Sequence, residues 1–194
     1  LELTPRQKDI ITAALKIIAG EGIQKLSVRR ISDEVGFTVP ALYRHYKSKD
    51  DLLLALTNYI VSDWEEVVRR GWTVGSATLN SLGEAMTKMV ELFTGNDMIA
   101  AASYSLQILQ KDKPILNKIF SIVELATVRT EEILINGQKG GTVRNDIPAR
   151  DLAAIIFGTL RLLIEKWNLS GNTIDIKTEW DSAWRALKKM IEPV

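Results

Sequence analysis

The 194-residue chain has no cysteine and one histidine, His45. The first absence excludes disulfides, zinc–thiolate centres and cysteine nucleophiles. The second argues against a histidine-rich metal site or a Ser-His-Asp triad. A core of this size needs no disulfide staple, and a cysteine-free chain fits a reducing cytosol. Long hydrophobic runs are also missing. The longest, Ala153 to Ile164, is interrupted by Gly158, Thr159 and Arg161, and it falls short of the ~20 residues a membrane span needs. The opening stretch, Leu-Glu-Leu-Thr-Pro-Arg-Gln-Lys, holds no apolar signal core. A cytoplasmic protein with no membrane contact is expected. Neither a phosphate-cradling glycine loop nor a metal cluster is present in the sequence, and the adjacent carboxylates Glu131 and Glu132 diverge on a helix. No enzyme activity, cofactor or metal is expected.

Net charge of one sign is scarce too: 25 Lys and Arg face 24 Asp and Glu, net +1. The distribution is uneven. Residues 1–50 carry nine basic and six acidic side chains, or +3, which leaves −2 for residues 51–194. Between Lys25 and Lys49, six basic residues meet only Asp33 and Glu34. A near-neutral chain with one basic module points to a polyanionic partner for that module alone, the alternative being a solvated basic surface.

Hydrophobic spacing decides between them. Ile10, Ala13, Ala14, Ile17 and Ile18 recur at helical intervals and Gly22 ends the segment. Ser27 is a good N-cap for a helix over Val28–Val35, which Gly36 ends. Thr38 caps a brief third helix, Ala41 to His45, with Pro40 in its first turn. Ser48, Lys49, Asp50 and Asp51 open a fourth helix, with acids matched to its dipole. Helix, glycine-containing turn and short helix among basic residues describe a helix-turn-helix. Ile31, Val35, Phe37, Leu42 and Tyr46 are expected in its core, and Arg30 is expected solvated or paired with Asp33.

The run Leu26 to Leu53 resembles the DNA-binding module of the TetR family of transcriptional regulators. Its most specific part is Leu42-Tyr43-x-His45-Tyr46-x-Ser48-Lys49-x-x-Leu52. Together with the Ala13-Ala14…Gly22 pattern before it, the match covers about a quarter of the chain. The resemblance implies that Thr38, Val39, Pro40 and Ala41 meet the major groove, small enough for close approach and for contact with thymine methyls. It also implies that Tyr43, His45 and Lys49 hold phosphates, and that Arg29 reads a base, best a guanine. Ser27 would offer its hydroxyl and helix N-terminus to another phosphate, and Arg44 is a further candidate.

Beyond Leu52 the periodicity stays helical: Leu52 to Arg70, Thr78 to Thr94, Met98 to Gln110 and Pro114 to Asn136. A break is expected over Gly71–Ser76 and a loop over Gln138–Gly141. No period-two strand pattern, internal repeat or low-complexity tract appears, so the fold class is all-α. The segment Leu152–Trp167 is apolar almost all round, so it must be buried on more than one face. A final helix carries Trp180, Trp184, Leu187 and Ile191 on one stripe. The resemblance implies an N-terminal three-helix module, residues 1–48, followed by a larger helical ligand-binding and dimerisation domain, residues 49–194. It also implies a homodimer through the helices at about 150–168 and 178–192. A Gly…Arg…Asp pattern frequent in the family matches Gly141, Arg144 and Asp146.

A ligand pocket among the middle helices would draw on Trp64, Met86, Met89, Phe93, Tyr104, Phe120 and Phe157. Arg161 stands out as a charge within an apolar helix that needs a partner, such as Glu165, an anionic ligand or a residue across the dimer. Asp63, Ser103, Gln107 and Glu124 are further polar candidates. The expected partners are a double-stranded, pseudo-palindromic DNA operator and a small, largely apolar effector. The expected function is a ligand-responsive repressor. The alternatives are a small-molecule-binding protein with a vestigial DNA module and an activator of the same fold.

Overall fold

The computed structural model describes residues 3–71, 78–95, 98 and 113–193. Among them are eight α-helices, one 3-10 turn and no strand: α1 Pro5–Glu21, α2 Val28–Val35, α3 Val39–Tyr43, α4 Lys49–Gly71, α5 Leu79–Thr94, α6 Lys113–Lys139, α7 Ala149–Leu169 and α8 Ile176–Ile191. The 3-10 turn, Ile23–Lys25, lies between α1 and α2. The chain forms two compact units, one of Leu1–Ser62 with Asn96–Phe120, the other of Asp63–Gly95 with Ser121–Val194.

In the first unit, Thr4 and Gln7 form a capping box that starts α1. The helix buries Ile10, Ala13, Ala14, Ile17 and Ile18 along one face. Gly22 ends it at φ 86°, and Gly36 ends α2 at φ 74°, a left-handed conformation a side chain would strain. Helix α2 packs on α1 and α3 on α2. The five-residue α3 takes its cap from Thr38, whose hydroxyl accepts the Ala41 N–H at 3.4 Å. Helix α4 begins on the Ser48 hydroxyl, which accepts the Asp51 N–H at 3.0 Å. Its first turn carries Asp50 and Asp51 and its last Arg69 and Arg70, both ends matched to the helix dipole.

In the second unit, α8 packs against both α5 and α7. Trp180 is fully buried, and its indole N–H donates to the Thr87 hydroxyl at 3.1 Å. Trp184 stacks on Trp180, ring centroids 5.8 Å apart, and lies over Gly83. The expected Gly141–Arg144–Asp146 pattern proves to be a structural clamp. Asp146 accepts two guanidinium bonds from Arg144 at 2.7 and 2.6 Å. Arg144 also donates to the carbonyls of Met190 and Ile191, at 3.1 and 2.8 Å. These bonds satisfy carbonyls of the last turn of α8 that have no partner within the helix. The Arg144 bond holds the Asp146 carboxyl below its usual range.

Some boundaries and burials differ from expectation. Helix α6 continues through Gln138 and Lys139, so the loop opens only at Gly140. Helix α7 buries Leu152, Ala153, Ile156, Leu160 and Trp167 but leaves Ile155, Leu162 and Leu169 at 44%, 57% and 76% exposure. Among the described residues these three positions of the helix are therefore left without cover. The expected helix Met98–Gln110 and the break over Gly71–Ser76 lie almost wholly outside the described residues.

The Trp184–Gly83 contact makes a prediction. A β-carbon at Gly83 would sit 2.3 Å from Trp184 Nε1. Gly83→Ala should destabilise the protein by about 1–3 kcal/mol. Thermal unfolding followed by circular dichroism reads this as a Tm lower by several degrees, and an unchanged Tm would mean that Trp184 swings aside without cost.

Candidate nucleic-acid interface

Helices α2 and α3, with the turn Gly36–Thr38 between them, gather most of the residues that the sequence marks for DNA. Ser27 caps α2, its hydroxyl oxygen accepting the Arg30 N–H at 3.2 Å. The hydroxyl proton remains to be donated outward. Ser27, Arg29, Thr38, Pro40, Arg44 and Lys49 are exposed, and Val39 and Ala41 are half-buried. Tyr43 is 44% exposed. The set combines hydroxyl, guanidinium and ammonium donors from the start of α2, from both ends of α3 and from the start of α4, the chemistry that phosphate and base-edge contacts require.

The two adjacent arginines of α2 differ. Arg30 does not pair with Asp33 as expected. Its guanidinium donates to Glu21 at 2.6 Å and to Glu34 at 3.4 Å. Helix geometry explains the change, since the longer reach of glutamate at i+4 and the end of α1 offer better-placed oxygens. The Arg30 hydrogen bond lowers the pKa of Glu21, and Glu21 raises that of Arg30. Arg30 thus ties α1 to α2, whereas no ion pair among the described residues holds Arg29.

Two core expectations need correction. Ile31 and Leu42 are buried, but Val35 and Phe37 are only half-buried. Phe37 sits in the tight turn after Gly36, where the chain leaves the helix stripe that points inward. Its ring stacks instead on the half-buried His45, centroids 6.2 Å apart and planes 22° apart. The Arg6 guanidinium lies over the same Phe37 ring, 5.5 Å from its centroid. Sequence reasoning missed Arg6 because its neighbour lies in another helix-turn segment, and no local periodicity joins them.

Tyr46 is buried at 6% exposure. Neither its hydroxyl nor that of the buried Ser32 finds a hydrogen-bond partner among the described residues. Burial pushes the Tyr46 phenol up to about 12.

The ligand candidates are more scattered. Trp64, Met86, Met89 and Phe93 are buried in the second unit, with the Trp64 and Phe93 rings 5.0 Å apart. Phe157 is half-buried, and Arg161, Asp63 and Glu124 are exposed. Phe120 is 66% exposed. The inner stripe of α6 is taken by Ile115, Ile122, Ala126, Ile133 and Leu134, which turns Phe120 outward. Tyr104, Ser103 and Gln107 lie outside the described residues. A cavity of about 310 Å³ opens elsewhere in the second unit, between Leu79, Asn80, Ile133, Asn136, Val143 and Lys188, and none of the ligand candidates lines it. Among the described residues there is no cluster of metal-ligating side chains and no helix long and apolar enough to cross a membrane.

Comparison with known proteins agrees with this geometry along most of the chain. Residues 10–56 match the family model of bacterial regulatory proteins of the tetR family, and residues 66–189 match that of the YsiA-like protein C-terminal region. The fatty acid metabolism regulator protein of Bacillus subtilis is 23% identical over 172 residues, covering 89% of this chain and 88% of that one. The HTH-type transcriptional repressor AcnR of Corynebacterium diphtheriae is 25% identical, covering 93% and 90%. The transcriptional regulator FadR from Bacillus subtilis, solved with stearoyl-CoA, shares the fold at TM-score 0.79 and 23% identity, covering 95% and 99%.

The buried Tyr46 hydroxyl gives a stability test of the module. An unsatisfied buried hydroxyl costs about 1–3 kcal/mol. Tyr46→Phe should therefore raise Tm by roughly 2–12 °C and leave DNA affinity unchanged. A lower Tm, measured by circular dichroism, would show that the hydroxyl is hydrogen-bonded in solution.

Proposed function

The chain belongs to the TetR family of bacterial transcriptional regulators, and on that premise we propose that it is a dimeric, cytoplasmic repressor released from its operator by a small, largely apolar molecule. The observation that carries the DNA-binding part is the donor set around α3. Ser27 and Arg29 at the start of α2, Thr38, Tyr43 and Arg44 at the ends of α3, and Lys49 at the start of α4 all stand exposed. In this reading Thr38, Val39, Pro40 and Ala41 meet base edges in the major groove. Tyr43, His45, Lys49 and Ser27 grip phosphates, Arg29 reads a base, and Arg44 contributes a further cation. The functional division then falls near residue 48, with DNA binding before it and effector binding and dimerisation after it.

Dimerisation is supported by the uncovered side of α7. Ile155, Leu162 and Leu169 recur every seven residues and are all exposed, as is Met190 on α8. A heptad-spaced apolar stripe suits packing against another helix, and a two-fold copy supplies one. The effector reading draws on Trp64, Met86, Met89 and Phe93, large adaptable apolar side chains, with Phe157 and Arg161 on α7 as further candidates. The relative from Bacillus subtilis was solved with stearoyl-CoA, a molecule with a long apolar chain. An effector shifts the dimer off DNA only as far as it prefers the released conformation.

The test is a fluorescence-anisotropy titration with DNA from upstream of the protein's own gene against unrelated DNA of equal length. The upstream DNA should bind tightly, resist competitor and weaken as salt rises. Adding stearoyl-CoA should lower the anisotropy. Arg29→Ala should cost about 1–3 kcal/mol and relax preference at one base; an equal loss on every sequence would reassign Arg29 to the backbone. Equal and weak binding of the wild type to all DNA, with no fragment enriched from a genomic pool, would overturn the repressor reading in favour of a vestigial module.

A further inference from the structure

The donors Ser27, Arg29, Thr38, Tyr43, Arg44 and Lys49 lie on α2, α3 and the start of α4. Arg6 comes from a different place. It occupies the first turn of α1, just after the Thr4 cap and Pro5. A cation there opposes the positive end of the helix dipole, so it is not placed to stabilise the helix. Its side chain is 66% exposed, and its ion pair with Asp9, at 3.4 Å, is long and equally open. An exposed pair of that kind contributes little to stability.

Besides Asp9, the Arg6 guanidinium meets the Phe37 ring, 5.5 Å from its centroid. Phe37 lies in the turn immediately before Thr38, the cap of α3, so Arg6 stands beside the end of α3 that faces the groove in this reading. The same ring backs His45 at 6.2 Å. The two donors therefore share one aromatic support, and the distances through it keep them within about 12 Å of each other. Backbone charges on one DNA strand follow each other every ~3.4 Å along the axis, so both donors can reach the same short stretch of backbone.

We infer that Arg6 is a further DNA-backbone contact, and that Phe37 is the positioning residue that holds Arg6 and His45 toward phosphates of one strand. The inference rests on the DNA-binding reading above. It assigns to the start of α1 a direct part in binding rather than a purely structural one. It also accounts for a half-buried phenylalanine in a turn where a fully buried one would be ordinary core.

The experiment measures the salt dependence of binding to a duplex enriched by the wild-type protein from a random-sequence pool. Each phosphate neutralised adds about 0.9 to the slope of log K against log salt. Arg6→Ala should make the slope shallower by about 1 for each bound protomer, alike on every sequence, while Arg6→Lys should largely restore it. Arg6→Ala should keep the wild-type Tm, because the side chain is exposed. Phe37→Leu keeps an apolar turn but removes the ring. It should weaken binding, and in that background Arg6→Ala should cost less than it does in the wild type, a coupling that a merely structural Phe37 would not produce. Normal wild-type binding with an unchanged slope in Arg6→Ala would overturn the inference and leave the DNA-binding reading standing. Failure of the wild type to enrich any duplex would overturn that reading, and this inference with it.

Discussion

A helix of five residues cannot hold itself together, because nucleating a helical turn costs more than so few hydrogen bonds return. Helix α3 exists because its surroundings fix it. Thr38 supplies the cap, Leu42 is buried at 1% exposure, and Tyr46 just beyond the helix is buried at 6%. Everything expected of the DNA-binding module depends on that support. A recognition element that is held only by tertiary contacts presents its donors at fixed positions, provided that α1 and α2 are themselves locked.

The locking is electrostatic as well as apolar. Arg30 spans Glu21 on α1 and Glu34 on its own helix, so one of two neighbouring arginines serves the fold while the other, Arg29, stands exposed. The division follows from helix geometry. Consecutive positions on a helix point about 100° apart, so one arginine can face a packed neighbour and the next face solvent. Phe37 makes a similar division among aromatics. It gives up full burial to support a cation from α1 and an imidazole at the end of α3.

The second unit relies on tight contact of another sort. Gly83 admits the Trp184 ring, Trp180 finds its one donor a partner in Thr87, and Arg144 joins the loop after α6 to the end of α8. Along α7, Ile155, Leu162 and Leu169 stand exposed at seven-residue intervals.

The all-α class, the caps at Ser27 and Thr38, the glycine stops at Gly22 and Gly36, and the burial of Ile31, Leu42 and Tyr46 were legible in the amino-acid sequence. Those features depend on neighbours within a few residues, where helical periodicity and capping chemistry act. The exposed donors around α3 were legible for the same reason, since their spacing is local. Pairing across distant segments was not. That Arg30 chooses Glu21, that Phe37 faces Arg6 and His45, that Phe120 turns outward and that Gly83 lies under Trp184 are matters of which helix packs on which. Local spacing along the chain is enough to set the helices and the polarity of their faces; their partners follow from how whole faces dock, because contact across many residues is not encoded in spacing.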